Sequence, residues 1–342
     1  MQTKLWQGEK AADIAEAAQC LQRGELVAFP TETVYGLGAN ALDETAAQKI
    51  YAAKGRPSDN PLIVHIYDQK QLAQLVSQVP PKAEALMTAF WPGPLTLVLP
   101  RAEAVPDCVT GGLSTVGIRM PDHPAALALL KACGLPLAAP SANTSGKPSP
   151  THAEHVYHDL AGRIAGIIDG GPTAVGLEST VLDVTAQPPV ILRPGGVSQE
   201  AIERIIGPVR ADTSLKCAEE VPKAPGMKYK HYAPEAAVII CPGTPAEIAG
   251  RLRTALAEER RPLGLMISEE TAQLLGDVPP EVSVRILGLR ARPETLAHEL
   301  FDALRWFDDQ PAEVIYTESF PAERIGAALM NRLQKAAGTV SL

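Results

Sequence analysis

The chain is short of cysteine, and its cysteines are badly placed for cross-linking or for metal. Its five (Cys20, Cys108, Cys133, Cys217 and Cys241) are odd in number, widely separated and never form C-x-x-C. That excludes a zinc finger and a disulfide framework, and predicts reduced, structural thiols. Long apolar runs are missing too. Nothing approaches the ~18 residues of a membrane span, and the opening MQTKLWQGEKAADIAEAAQ lacks a signal-peptide core. No membrane association and a cytoplasmic location are therefore expected. Nor is there a surplus of basic charge: 31 Lys and Arg face 39 Asp and Glu, a net charge of −8. Residues 1–207 carry 15 basic and 20 acidic side chains, residues 208–235 carry 5 and 4, and residues 236–342 carry 11 and 15. No segment resembles a polybasic nucleic-acid surface, although a small anionic ligand remains compatible.

What is present is ordinary globular composition, 46% apolar and 20% charged over 342 residues, long enough for two domains. The first part alternates β-rich runs with helical patterns. Strands are expected at 26–29, 62–66, 95–98, 115–120, 136–139, 164–168, 179–184 and 189–193. Helices are expected at 11–22, 44–53, 70–77, 80–90, 123–133, 151–160 and 198–206. The rhythm predicts an α/β domain over 1–207 with a large, twisted, mixed sheet. From 236 a more regular pattern begins: AVIIC, a helix at 245–258, LGLMI, a helix at 269–275, VRILG, a helix at 293–307, EVIYT and a helix at 322–336. Four β-α units predict a smaller, Rossmann-like parallel α/β domain over 236–342. No G-x-G-x-x-G accompanies it, so no dinucleotide is assigned. Residues 208–235 form the linker.

Polar clusters sit where the strands of the first domain should end. FPTETVYGLGANA (29–41) runs an apolar strand into Pro-Thr-Glu-Thr and two glycines; it reads either as a ligand-facing loop or as a tight turn with a helix N-cap. KGRPSDNPLIVHI (54–66) holds Lys54 and Arg56 on proline-stiffened backbone, a point charge beside a planar fork for phosphate or carboxylate. His65, alone in an apolar strand, reads from its surroundings as a satisfied core residue. Arg119 interrupts the β-run of VGIRMPDHP (116–124) and must be paired or face a cavity. AAPSANTSGKPSPT (138–151) is dense in hydroxyls, yet Ser141 stands where a Walker A loop needs its first glycine. GLESTVLDV (176–184) and ILRPGG (191–196) place Ser179 and Arg193 at strand edges. Lys54, Arg56, Arg119, Lys147 and Arg193 together predict one basic cavity in an acidic protein, suited to a phosphate-bearing substrate. The linker segment APGMKYKHYAP (224–234) is too basic and aromatic for a plain connector.

These motifs, with WPGPLTLVL (91–99), occur in one order along nearly the whole chain and resemble the YrdC-type threonylcarbamoyl-AMP synthase family in its longer two-domain form. The resemblance implies a nucleotidyltransferase that converts L-threonine, bicarbonate and ATP, with Mg²⁺ on the phosphates, to threonylcarbamoyl-AMP and pyrophosphate. The product would pass to the tRNA threonylcarbamoyl transferase complex, which modifies the adenosine beside the anticodon. Carried over by position, Lys54 and Arg56 would be the catalytic basic pair at the triphosphate. Asn60, Thr115, Ser141, Asn143, Ser149, Arg193, His231 and Tyr232 would complete the ATP site, while Thr33, His65, Arg119, Ala139 and Ser179 would surround threonine. No metal ligand is expected from the protein alone. A labile carbamate needs shielding from water, so APGMKYKHYAP is expected to strap the active site. The rivals are a related carbamoyl-adenylate-forming enzyme, whose acylphosphatase and zinc-finger modules this sequence lacks, and an RNA-binding module, which the acidic balance disfavours. Strong tRNA binding by this chain alone is not expected.

Overall fold

A computed structural model describes residues 2–212 and 232–338. The described chain forms two compact units. Residues 2–145, 149–174 and 178–212 make the first; residues 146–148, 175–177 and 232–338 make the second.

The first unit is built on eleven strands: Lys4–Gln7 (β1), Val27–Phe29 (β2), Gly36–Asn40 (β3), Ile63–His65 (β4), Leu95–Pro100 (β5), Thr115–Arg119 (β6), Leu137–Ala138 (β7), Gly166–Asp169 (β8), Thr180–Asp183 (β9), Val190–Arg193 (β10) and Arg210–Ala211 (β11). They form one mixed sheet in the order β1-β8-β2-β3-β7-β4-β6-β5-β9-β10-β11. Side chains alternate between the two faces of a strand, and the sequence uses that period to make two cores. Val27, Phe29, Leu137 and Ile168 face the helices Ala11–Gln22 and Pro124–Cys133, whereas Ala28, Ala138 and Ile167 face a larger cluster that includes the helices Glu44–Lys54 and Pro81–Phe90. A third, smaller cluster of Ile63, Val98, Val181 and Leu192 covers the other face of β4, β5, β9 and β10.

Three strands lie outside the expected set. β3 lies in the stretch expected to be a ligand-facing loop or a tight turn, since Gly36 and Gly38 weaken a strand pattern. Gly38 is there for contact: a Cβ at this position would meet the Phe29 ring at 2.9 Å, where Val27 and Gly38 are register partners. β1 and β11 are short edge strands, added by parallel pairing to β8 and β10. The predicted helix at 70–77 is instead a 3₁₀ turn, Gln69–Gln71, followed by a single turn at Leu72–Leu75.

The second unit follows its sequence pattern closely. Ala237–Cys241 (β12), Leu263–Ile267 (β13), Ser283–Ile286 (β14) and Val314–Glu318 (β15) form an all-parallel sheet in the order β12-β15-β13-β14. Its first helix, Pro245–Glu258, opens on a full capping box between Thr244 and Glu247, which fixes its start. No described helix is long and apolar enough to cross a membrane.

Two glycines serve as local tests. Gly55 ends the helix Glu44–Lys54 at φ 63° with open space where a Cβ would project, so Gly55→Ala meets only the left-handed backbone penalty, about 1–2 kcal/mol. A Cβ at Gly195 would lie 2.3 Å from the backbone carbon of Ser179, and backbone cannot yield as a side chain can. Gly195→Ala should cost at least as much as the upper end of the overpacking range, about 3 kcal/mol. Urea denaturation should rank the two variants in that order.

Candidate functional site

Parallel pairing of β4 with β6 makes His65 and Arg119 direct register partners at their strand ends. The Pro-Thr-Glu-Thr stretch between β2 and β3 turns back onto them. Thr31 Oγ1 donates to the carbonyl of Val34 at 2.7 Å, lies 2.8 Å from Thr33 Oγ1, and accepts from the amides of Thr33 and Val34. This local turn holds the Thr33 hydroxyl where Arg119 Nη1 donates to it at 2.8 Å. Arg119 Nε donates to the carbonyl of Gly93 at 3.3 Å, and Nη2 stands 2.6 Å from Glu32 Oε2. Both side chains of that ion pair are nearly sealed, Arg119 at 5% and Glu32 at 9% exposure.

His65 is fully enclosed beside this pair, edge-on to Phe29 with ring centroids 6.0 Å apart. Burial first, and the Arg119 charge second, push its pKa down to about 3. The imidazole is therefore neutral at physiological pH and offers hydrogen bonding without charge. Its Nδ1 lies 3.3 Å from the carbonyl of Ile63.

A second cluster gathers around Lys54, which is 2% exposed in the last turn of its helix. Its ammonium donates to the carbonyls of Ser141 and Asn143, each at 2.5 Å, and lies 3.4 Å from Asn143 Oδ1. Ser141 Oγ donates to the same Oδ1 at 2.5 Å, so the Ser-Ala-Asn loop wraps the lysine. Gly55 then redirects the chain, and Arg56 Nη2 donates to the carbonyls of Pro61 at 3.1 Å and Asn60 at 3.4 Å. Asn60 is 1% exposed, and its side-chain oxygen has no donor among the described residues.

Ser179, just before β9, shares a 2.8 Å hydrogen bond with Thr96, and Arg193 at the end of β10 donates to its carbonyl at 3.0 Å and its hydroxyl at 3.2 Å. Ser149 Oγ donates to Glu178 Oε1 at 2.7 Å. Ala139 is buried just past β7, its amide bonded to the carbonyl of Ile63 at 2.8 Å. Thr115 opens β6 and lines a cleft with an apolar floor of Ile63, Val98 and Val181.

The expected site residues of the first unit thus fall into linked groups: Thr33, His65 and Arg119; Lys54, Ser141 and Asn143; Arg56 and Asn60; Ser179 and Arg193. Lys147 is grouped with the second unit, where burial raises the pKa of Asp308 and the Lys147 charge opposes that shift. His231 and most of APGMKYKHYAP lie outside the described residues. Tyr232 belongs to the second unit, 4% exposed at φ 64°, its ring 5.1 Å from that of Phe301 and 5.6 Å from the Arg332 guanidinium. Sequence reading missed the acidic side of the site. Glu32 and Glu178 lie inside the motifs FPTETVYGLGANA and GLESTVLDV, and the available signal was a carboxylate beside a predicted basic cluster, where buried cations need counter-charge.

The family model Sua5/YciO/YrdC, described as telomere recombination, matches residues 19–195, and a model described as threonylcarbamoyl-AMP synthase, C-terminal domain, matches residues 197–338. The chain is 56% identical over 326 residues to a threonylcarbamoyl-AMP synthase of Bacillus subtilis, covering 95% of this chain and 93% of that one. It is 48% identical to one from Pyrococcus abyssi over 94% of this chain and 93% of that one. Among solved structures, P. abyssi Sua5 complexed with L-threonine superposes with a TM-score of 0.92 at 46% identity, covering all of both chains. A double variant of the same archaeal protein, with a histidine and a tyrosine changed to alanine, gives 0.93 at 46% identity over 99% and 98% of the two chains.

Because the folded pKa of His65 lies below the ordinary value of 6.5, its neutral form contributes stability that is complete above about pH 6.5 and is lost as pH falls toward 3. NMR of the ring should therefore show a neutral imidazole throughout pH 8 to 5.

Proposed function

We propose that this chain, which belongs to the threonylcarbamoyl-AMP synthase family, condenses L-threonine, bicarbonate and ATP into threonylcarbamoyl-AMP and pyrophosphate. The observation that carries the reading is the buried Arg119, hydrogen-bonded to the Thr33 hydroxyl beside a neutral His65. A planar guanidinium at a closed strand end is a carboxylate receptor, and His65 and Ser179 add uncharged polar contacts suited to an amino acid with a hydroxyl. Ala139 completes the pocket wall with a small apolar side chain.

The reaction needs little covalent chemistry from the protein. A neutral threonine amine adds to carbon dioxide derived from bicarbonate, and the carbamate oxygen attacks the α-phosphorus as pyrophosphate leaves in line. Positioning and charge stabilisation then supply most of the rate. Lys54, pre-set by the Ser141–Asn143 loop, and Arg56, fixed at Pro61, would offset the charge that builds on the departing phosphates. Arg193, Ser149 and Asn60 would hold further phosphate and ribose groups, and the cleft at Thr115 offers an apolar floor for the base. The oxygen donors at hand, hydroxyls with the Glu178 carboxylate, fit a hard divalent cation that keeps water and phosphate oxygens as its other ligands. Mg²⁺ bound with ATP would supply charge neutralisation at the phosphates. The product is an activated carbamoyl group, and its consumer is a transferase acting on tRNA in the cytoplasm.

Pyrophosphate release should vanish when threonine, bicarbonate or Mg²⁺ is omitted, and release independent of threonine would overturn the reading. Lys54→Ala should lower turnover on the order of 100-fold or more, with the melting transition reporting whether the variant folds.

A further inference from the structure

Arg119 holds three partners unequally. Nη1 and Nε reach aligned acceptors, Thr33 Oγ1 at 2.8 Å and Gly93 O at 3.3 Å. Nη2 and both oxygens of Glu32 have no aligned hydrogen-bond partner among the described residues, although Nη2 and Oε2 are 2.6 Å apart. The contact with Glu32 is therefore a contact of charge, and only another anion could take its place on Arg119. Besides Arg119 and the neutral His65, the Glu32 charge is felt by His123, at the head of the helix Pro124–Cys133, whose pKa is lowered by burial despite it.

If a ligand carboxylate takes Arg119, as the function proposed above requires, Glu32 is left a buried anion without its cation. Removing one partner of a buried ion pair is strongly unfavourable unless the newcomer brings a replacement charge. An α-amino acid does so. Its ammonium group is attached to the carbon next to its carboxylate, so one zwitterion can satisfy Arg119 with one end and Glu32 with the other. A hydroxy acid of the same shape satisfies Arg119 alone.

We propose that Glu32 is a specificity-determining residue of the threonine site: it holds the place of the substrate carboxylate on Arg119 in the free protein and becomes the seat of the substrate's α-ammonium group in the binary complex, before that group gives up its proton for carboxylation. The binding event is an exchange of ion pairs, and net charge inside the pocket is the same before and after. Discrimination between amino acid and hydroxy acid then resides in Glu32, and the pocket's hydroxyls serve the substrate side chain.

Calorimetric titration of the full chain with L-threonine and with 2,3-dihydroxybutyrate, its analogue with hydroxyl in place of ammonium, tests this. The wild-type protein should favour threonine on the order of 100-fold. Glu32→Gln, which keeps the shape and removes the charge, should weaken threonine while strengthening the hydroxy acid, so that the preference falls below about 10-fold. A purely structural role would weaken both ligands together. Equal binding of the two ligands by the wild type, or an unchanged preference in Glu32→Gln, overturns the proposal while leaving the enzyme reading intact. Failure of threonine to bind the wild type, with threonine-independent pyrophosphate release, overturns both. Should Glu32→Gln not fold, the wild-type comparison decides alone.

Discussion

A full positive charge at the closed end of a central strand is the constraint around which the first unit is arranged. Arg119 is buried away from bulk water, so its charge has to be met from nearby chain. The Pro-Thr-Glu-Thr turn exists in a form that does this. Thr31 fastens the backbone, Thr33 presents an oxygen, Glu32 brings the counter-charge, and Gly93 adds a carbonyl from the segment leading into β5. Burial first, and the same charge second, keep His65 neutral across the strand pair. One buried guanidinium thereby sets the partners of the groups nearest the proposed amino-acid site.

Lys54 obeys the same logic with different means. Its ammonium is caged by carbonyls of the Ser-Ala-Asn loop, and the loop is in turn pinned to β3 by the bridge between Gly36 and Ser141. Gly38 of β3 and Gly195 of the ILRPGG segment matter because backbone approaches ring or backbone there at distances no Cβ allows. The site is thus assembled from strand ends and short loops held by a sheet packed on both faces, where a ligand group can be met by preformed dipoles instead of water.

Much of the fold was legible in the sequence. The helix Pro245–Glu258 and the strands around it match the pattern residue for residue, because a parallel sheet covered by helices writes its burial plainly as apolar runs between amphipathic ones. β3 escaped for an equally physical reason: its glycines carry no side-chain period to read, and the close approach of Phe29 to Gly38 exists only in the fold. The basic site residues were legible as charges out of place. Glu32 and Glu178 were not, since an acidic residue in a loop looks like ordinary solvation until the fold buries it.

By itself, then, the sequence determined the strand and helix rhythm, the alternation that makes two cores, and the residue types able to bind a carboxylate and phosphates. Those are local properties, carried by periodicity and side-chain chemistry. Which of those groups meet was decided by tertiary structure alone: His65 beside Arg119 through parallel register, Ser141 and Asn143 around Lys54, Arg193 on Ser179, and Glu32 against Arg119. Each of these contacts joins residues from separate elements, and their distances depend on sheet order and strand register, which no local pattern encodes.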